Sequence, residues 1–472
     1  MKRIITLLFL YPAFLMAQKS HQEIIRAIDS KKDLYASAAQ DIWGFAEVGY
    51  KEYKSSALLQ KMLEAEGFKI EAGVAGMPTA FIATAGAGKP VIAILGEYDA
   101  LPGISQEAVP EHKPIPGQRG GHACGHHLFG VASAAAAIEV KNWLLAGKRS
   151  GTIKFYGTPA EEGGSGKVYL VRDGFFKDVD VAINWHPGDG NDATATSSLS
   201  NKNGKFRFYG VASHAAVSPE RGRSALDAVE AMNNMVNMMR EHITEKSRIH
   251  YVITRGGEAP NVVPAYAEVY YYVRHPNREE VKSMWNRIEK AAQGAALGTE
   301  TKVEIEVTGG VYDLLPNEAL AQVMFKNLKT VGGYQLDATE IEFAEKIRKT
   351  FNGTPPPLSN TALVAPMKQA TEAGSTDVGD VSWVVPTVGL STATWVPGTA
   401  AHSWQAVAAG GTSIGVKGMM VAAKSMALTA VDLFSEPKVI EASWVEFRNR
   451  TGSEFRYEPL IGNRKPALNY RD

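Results

Sequence analysis

The chain has 472 residues, 45% of them hydrophobic, and its 50 Lys and Arg are matched by 50 Asp and Glu. A chain of this length outgrows a single hydrophobic core and is expected to form two domains. The even charge balance, with no Lys/Arg-rich block, argues against a nucleic-acid groove or an anionic membrane surface and favours a small neutral or anionic substrate.

At the N-terminus, Lys2-Arg3 precedes an apolar run from Ile4 to Ala17, which ends at polar Gln18-Lys19-Ser20. The run is too short to span a bilayer and reads as a signal peptide over 1–17, with an uncleaved anchor or a buried helix as alternatives. No stable membrane span is expected, and the mature protein is expected outside the cytoplasm, in the periplasm or beyond. Cys124 is the only cysteine, so no intramolecular disulfide can form, and burial or metal ligation explains a lone thiol kept in an oxidising compartment.

His21–Gly44 and Ser55–Gly67 read as helices, Val91–Leu95 as a buried strand, and Leu128–Ala146 as a helix closed by Gly147. Thr152–Tyr156 and Val179–Trp185 are strand-like, and this βα alternation predicts a mainly parallel sheet. From about Asn203 the rhythm changes to strand Lys205–Val211, helix Ser224–Arg240, strands Ile249–Thr254 and Ala265–Val273, helix Arg278–Ala296 and strand Lys302–Val307. That βαββαβ order predicts a ferredoxin-like insert. Farther on, Gly353–Leu358 reads as a loop, Val388–Trp395 as a strand before a helix starting near Gly410, and Ser435–Asp472 as a polar tail. Chemistry-bearing motifs flank the insert. The expected division is therefore a catalytic domain over 18–201 and 312–440, a lid or dimerisation domain over 202–311, and a tail over 441–472.

Those motifs concentrate Cys, His and Glu beside Gly or Pro. Cys124 and His126 are two apart just before a helix, and a thiolate with an imidazole favours a borderline metal over Mg or Ca; a buried inert cysteine is the alternative. Glu161-Glu162 follows a strand and Pro159, so one carboxylate can bind metal while the other serves as a general base, unless both belong to a solvated loop. The segment Gly163-Gly164-Ser165-Gly166-Lys167 fails as a phosphate loop, because Glu161 holds the first Gly position and Val168 the Ser/Thr position. His186 ends a strand and is either a ligand or a capping histidine, while His402 carries little signal of its own. Asp99, after strand Val91–Leu95, can orient a ligand imidazole or simply form a turn.

Together with Gly96-Glu-Tyr-Asp-Ala-Leu-Pro-Gly, Gly222-Arg-Ser-Ala-Leu-Asp, Pro260-Asn-Val-Val, Ser375-Thr-Asp-Val-Gly-Asp and His402-Ser-Trp-Gln, these segments resemble the M20 family of metallopeptidases and amidohydrolases. The resemblance covers nearly all of the mature chain and lies in the branch with aminoacylases, hippurate hydrolases and aminobenzoyl-glutamate utilization proteins. It implies an α/β metallopeptidase domain with two divalent metal ions per subunit, Mn or Zn, held by Cys124, His126, Glu162, His186 and His402, with Glu161 as base. It also implies that His214, in Ser213-His-Ala-Ala, reaches the active site of a neighbouring subunit to bind the oxyanion, and that Asn261 and Arg274 hold a substrate carboxylate. Two positions depart from the pattern. Glu97-Tyr98-Asp99 stands where many relatives carry His-x-Asp, and His127 stands where the branch often has Asp.

The expected protein is a secreted metal-dependent amidohydrolase acting on an N-acyl amino acid or dipeptide, of which aminobenzoyl-glutamate is the type. It is expected as a homodimer or as a heterodimer with a related subunit. A thiol amidase using Cys124 and His126 is the alternative enzyme, although it gives Glu162, His186 and His402 no role. A metal-binding protein without turnover is the non-enzymatic alternative, and it leaves Glu161 unexplained.

Overall fold

The computed structural model describes residues 20–368, 371 and 374–472; the leader expected over 1–17 lies outside them. After a helix over 20–30 come α1 (Lys32–Phe45), α2 (Tyr53–Ala65), β1 (Lys69–Ala72), β2 (Phe81–Ala87), β3 (Val91–Gly96), α3 (His126–Ala146), β4 (Gly151–Gly157), β5 (Val181–Ile183) and β6 (His186–Gly188). The insert supplies β7 (Ser200–Tyr209), α4 (Ala225–Met239), β8 (Arg248–Arg255), β9 (Tyr266–His275), α5 (Arg278–Gly298) and β10 (Lys302–Val311). It is followed by α6 (Glu318–Val331), α7 (Ala338–Arg348), β11 (Thr387–Val388), β12 (Ser391–Ala393), α8 (Trp404–Gly410), α9 (Ser413–Ser435) and α10 (Pro437–Thr451).

Among the described residues the main sheet has six strands in the order β1-β2-β4-β3-β5-β11. The four from β4 to β11 run parallel, while β1 and β2 form an antiparallel edge. Strand β3 is buried at every position, which suits its unbroken Val-Ile-Ala-Ile-Leu run to a strand covered on both faces. Helices α3 and α9 pack on each other beside this sheet. Both are long and apolar enough to cross a membrane by length and composition, yet 83% and 89% of their apolar windows are buried inside the protein. The parallel α/β fold expected from the chain's alternation is thus observed.

The insert is a four-stranded antiparallel sheet in the order β8-β9-β7-β10 with α4 and α5 on one face. Alternation along β9 turns Ala267, Val269, Tyr271 and Val273 into the core beneath the helices and leaves Tyr270, Tyr272 and Arg274 for the opposite face. The βαββαβ order is the one expected.

Three readings are corrected. Val388–Trp395 is not one strand, because β11 pairs with β5 and β12 with β6, the break falling at Gly389-Leu390 between them. The helix expected near Gly410 is two, since α8 starts at Trp404 with Ser403 as its cap and α9 at Ser413 with Thr412 as its cap. The polar tail contains α10, which buries Ile440, Ser443 and Phe447 at helical spacing, and the segment after it packs on the insert through Leu460 and on the main-sheet part through Ile461.

Candidate metal centre

Each motif is placed by a sharp change of backbone direction. Gly125 has φ +75 and no room for a side chain, since a Cβ there would meet Pro187 Cβ at 2.6 Å. This turn sets Cys124 just ahead of α3 and makes His126 its first residue. Asp99, beyond the end of β3, lies 2.9 Å through Oδ1 from His126 Nδ1 and accepts from the Glu162 amide through Oδ2, also at 2.9 Å. One buried carboxylate therefore orients an imidazole and fixes the Glu161–Gly164 turn. His186, opening β6, has Nδ1 2.8 Å from the Pro187 carbonyl, which leaves Nε2 facing Cys124 Sγ at 3.3 Å. His402 sits at φ +58 with its amide donating to Ala123 O, and its Nε2 is 3.2 Å from Glu162 Oε1.

Three groups of donors converge here: Cys124, His126 and His186; Cys124, Glu162 and His402; and Glu97, His126 and Glu161, with the ligand atoms of each group within 4.8 Å of one another. Glu97 Oε2 and His126 Nε2 are 3.0 Å apart yet not aligned to hydrogen-bond. Together with Glu162 Oε1 they are buried and have no hydrogen-bond partner among the described residues. Orphaned acceptors at roughly 3 Å spacing fit ligand atoms that share an ion at bond lengths of about 2.0–2.3 Å. The donor set therefore fits divalent metal.

The electrostatics agree. Burial, together with the charges of Glu97, Glu162 and Asp377, pushes the Glu161 carboxyl well up, and burial likewise raises the Cys124 thiol. His126 is raised although burial opposes it, because Glu97, Cys124 and Asp99 surround it with negative charge. Glu161, Cys124 and His126 are thus held toward their protonated forms, while Glu162 and Asp99 are lowered despite their burial, by His402 and His126 beside the first and by His126 beside the second. The single nearby ammonium among the described residues, Lys167, is spent between Glu97 Oε1 at 2.6 Å and Asp377 Oδ1 at 2.7 Å.

The donors open on a cavity of about 660 Å³ that also takes in Asn201, Asn203, Tyr272 and Arg274. Register explains the last four, since Asn201 pairs with Arg274 and Asn203 with Tyr272 across β7 and β9. His214 and Asn261 are not among the cavity's lining residues. Both lie exposed on adjoining loops of the insert, where Ala215 N donates to Asn261 O and His214 Nδ1 accepts from the Ala216 and Val217 amides. The structure thus brings Cys124, His126, Glu161, Glu162, His186, His402, Asp99 and Arg274 together, and leaves His214 and Asn261 outside their own chain's cavity.

Sequence reasoning misses Glu97 as a metal-facing group, the Lys167–Asp377 pair behind it, and the chain end. Tyr470 OH and Arg471 Nη2 both donate to the Glu162 carbonyl, at 3.0 and 2.5 Å. Lys167 stands in the sequence only as a residue of a failed phosphate loop, and nothing in the local sequence couples it to Asp377.

Residues 197–300 match the model of the peptidase dimerisation domain of M20 proteins. The chain is 42% identical to one of the subunits of p-aminobenzoyl-glutamate hydrolase of Escherichia coli (strain K12), over 94% of this chain and 99% of that one. It is 30% identical to the Xaa-Arg dipeptidase of Mus musculus, over 90% of this chain and 92% of that one. A crystal structure of a dinuclear metal binding peptidase from Bacillus subtilis shares the fold with a TM-score of 0.57 at 16% identity, over 86% of this chain and 99% of that one.

Proposed function

The chain belongs to the M20 family and is a hydrolase of amide bonds, and from that premise we propose that it cleaves an acyl group from an amino acid or short peptide with a free carboxylate, an aminobenzoyl-glutamate-like molecule being the type. The observation that carries the reading is the convergence of three donor groups on one cavity that also contains Arg274.

In this reading Cys124, His126 and His186 hold one divalent ion, and Cys124, Glu162 and His402 hold the other. The thiolate and imidazole donors favour Zn, and the Glu162 carboxylate suits Mn. Bound there, the ions supply the Lewis acidity that acidifies a water and polarises the amide carbonyl. Glu161 takes the proton of the attacking water and passes it to the leaving amine. Asp99 keeps the His126 ring in register. Arg274 holds the substrate carboxylate beside Asn203 and Tyr272, whose ring lies 4.6 Å under the guanidinium. His214, on a surface loop of the insert, donates to the oxyanion of a partner subunit's site, with Asn261 beside it. The partner is a second copy or a related subunit, and the leader over 1–17 delivers the protein to the periplasm or beyond.

The test is hydrolysis of a panel of N-acyl amino acids and dipeptides, aminobenzoyl-glutamate included, by chelated protein and by protein reloaded with Zn or Mn. Turnover that needs reloading is expected. Full activity in the metal-free protein would overturn the reading.

A further inference from the structure

The Glu161–Gly164 turn keeps one internal bond, from Gly164 N to Ala160 O at 3.0 Å. Glu162 (φ −69, ψ 68) and Gly163 (φ 89) leave the helical region, and Ala160 and Ser165 on either side sit at positive φ, so the backbone departs from a regular helix where two adjacent carboxylates must keep separate directions. Its other anchors come from outside. Glu52 Oε1 accepts from the Ala160 amide at 2.8 Å, Asp99 Oδ2 accepts from the Glu162 amide at 2.9 Å, and Tyr50 OH donates to the Gly164 carbonyl at 2.8 Å. The remaining anchor is the Glu162 carbonyl, which receives both Tyr470 OH and the Arg471 guanidinium.

The chain end that supplies these two donors is itself seated on residues 49–51. The Tyr470 ring meets Tyr50 edge-on at 5.6 Å, and Arg471 lies 4.7 Å above the Tyr470 ring. Asp472 pairs with Lys51 at 2.7 Å, and a methyl group at Gly49 would fall 2.1 Å from the Tyr470 hydroxyl. The absence of a side chain at Gly49 is what lets the Tyr470 hydroxyl close against residues 49–51.

We propose that Tyr470, Arg471 and Asp472 form a strap that sets the Glu161–Gly164 turn, with Tyr470 and Arg471 as positioning residues for hydrolysis; this rests on the assignment of Glu161 and Glu162 to that reaction. The two donors fix the peptide plane between Glu162 and Gly163. Without them that plane rotates about the unrestricted backbone of Gly163, and both carboxylates leave their bearings.

The experiment compares the full chain with a variant lacking residues 470–472 and with Tyr470→Phe, Arg471→Ala and Arg471→Lys, all loaded with Co(II). Removing the strap lowers kcat by about 10–100-fold while KM stays within about twofold, because orientation and not substrate binding is lost. The Co(II) d–d bands shift as Glu162 moves while the Cys124 thiolate charge-transfer band persists, and Arg471→Lys recovers part of what Arg471→Ala loses. Wild-type kcat with an unchanged Co(II) spectrum in the shortened chain overturns the proposal. So does a fall in kcat that only tracks a fall in thermal stability and is equal in Arg471→Lys and Arg471→Ala. If the shortened chain does not fold, the point variants decide by the same readouts. If the wild-type protein hydrolyses none of the substrates, the functional reading fails by itself and the Co(II) spectra still test the strap.

Discussion

Replacing Lys167 by Met keeps the apolar stem of the side chain and deletes its charge. In the native protein the ammonium is 2.6 Å from Glu97 Oε1 and 2.7 Å from Asp377 Oδ1, with side-chain exposures of 0% for Lys167, 1% for Glu97 and 0% for Asp377. Without it the two buried carboxylates lose their counter-charge, Asp377 keeping, among the described residues, only the residue 167 amide at 2.9 Å and Glu97 only the His126 ring at 3.0 Å, and removing one partner of such a buried pair costs about 3–5 kcal/mol. The relief open to the site is for one carboxyl to take up a proton, which raises its folded pKa above the unfolded value. The folded variant then binds a proton that the unfolded chain releases, so its stability declines as pH rises and recovers as pH falls. The deficit against wild type is therefore full near neutrality and shrinks on acidification by at most about 1.4 kcal/mol per pH unit. Urea unfolding of both metal-free proteins, followed by tryptophan fluorescence at about pH 7.5 and about pH 5, measures this directly. A variant within about 1 kcal/mol of wild type at the higher pH, the range of an exposed pair, would refute the reasoning, as would a deficit that ignores pH.

Glu161→Gln should retain its metal and lose turnover by at least about a hundredfold, whereas Glu162→Gln should lose metal on dialysis; equal metal contents in the two variants would end that division of labour. Burial and the neighbouring Asp99 push Glu52 up to about 8 from 4.5. The native state thus holds a proton that the unfolded chain releases above its own value, so stability should fall as pH rises through that window, and Glu52→Gln should flatten the slope in urea titrations. Mixing inactive His214→Ala chains with inactive Glu161→Gln chains should restore activity after subunit exchange, because one site of each mixed dimer then has an intact base and an intact lid histidine; verified mixed dimers that stay dead would confine His214 to its own chain or to no role.

The parts of the site that can be read from the sequence are those whose chemistry is carried by residue type and local turn: Cys124 and His126 ahead of a helix, Glu161-Glu162 after a strand, His186 at a strand end. The insert is legible for a similar reason, since its strands alternate and its helices carry one apolar stripe. What stays hidden depends on contacts between distant segments. Asp377 joins Lys167 from 210 residues away, and Tyr470 and Arg471 reach Glu162 across more than 300. Helix α10 reads as a tail because only Ile440, Ser443 and Phe447 are buried along it, a stripe too thin to stand out in a polar segment.

Helices α3 and α9 cover each other although α3 ends at residue 146 and α9 begins at 413. In a chain that becomes available from its N-terminus onward, α3 must wait through the whole insert for its cover. The Cys124 thiol at its mouth waits nearly as long for His402, and the turn bearing Glu162 waits longer still, for Tyr470 and Arg471. A partly folded chain thus exposes an apolar helix until residues far downstream arrive, which makes that species, rather than the finished fold, the one prone to aggregate.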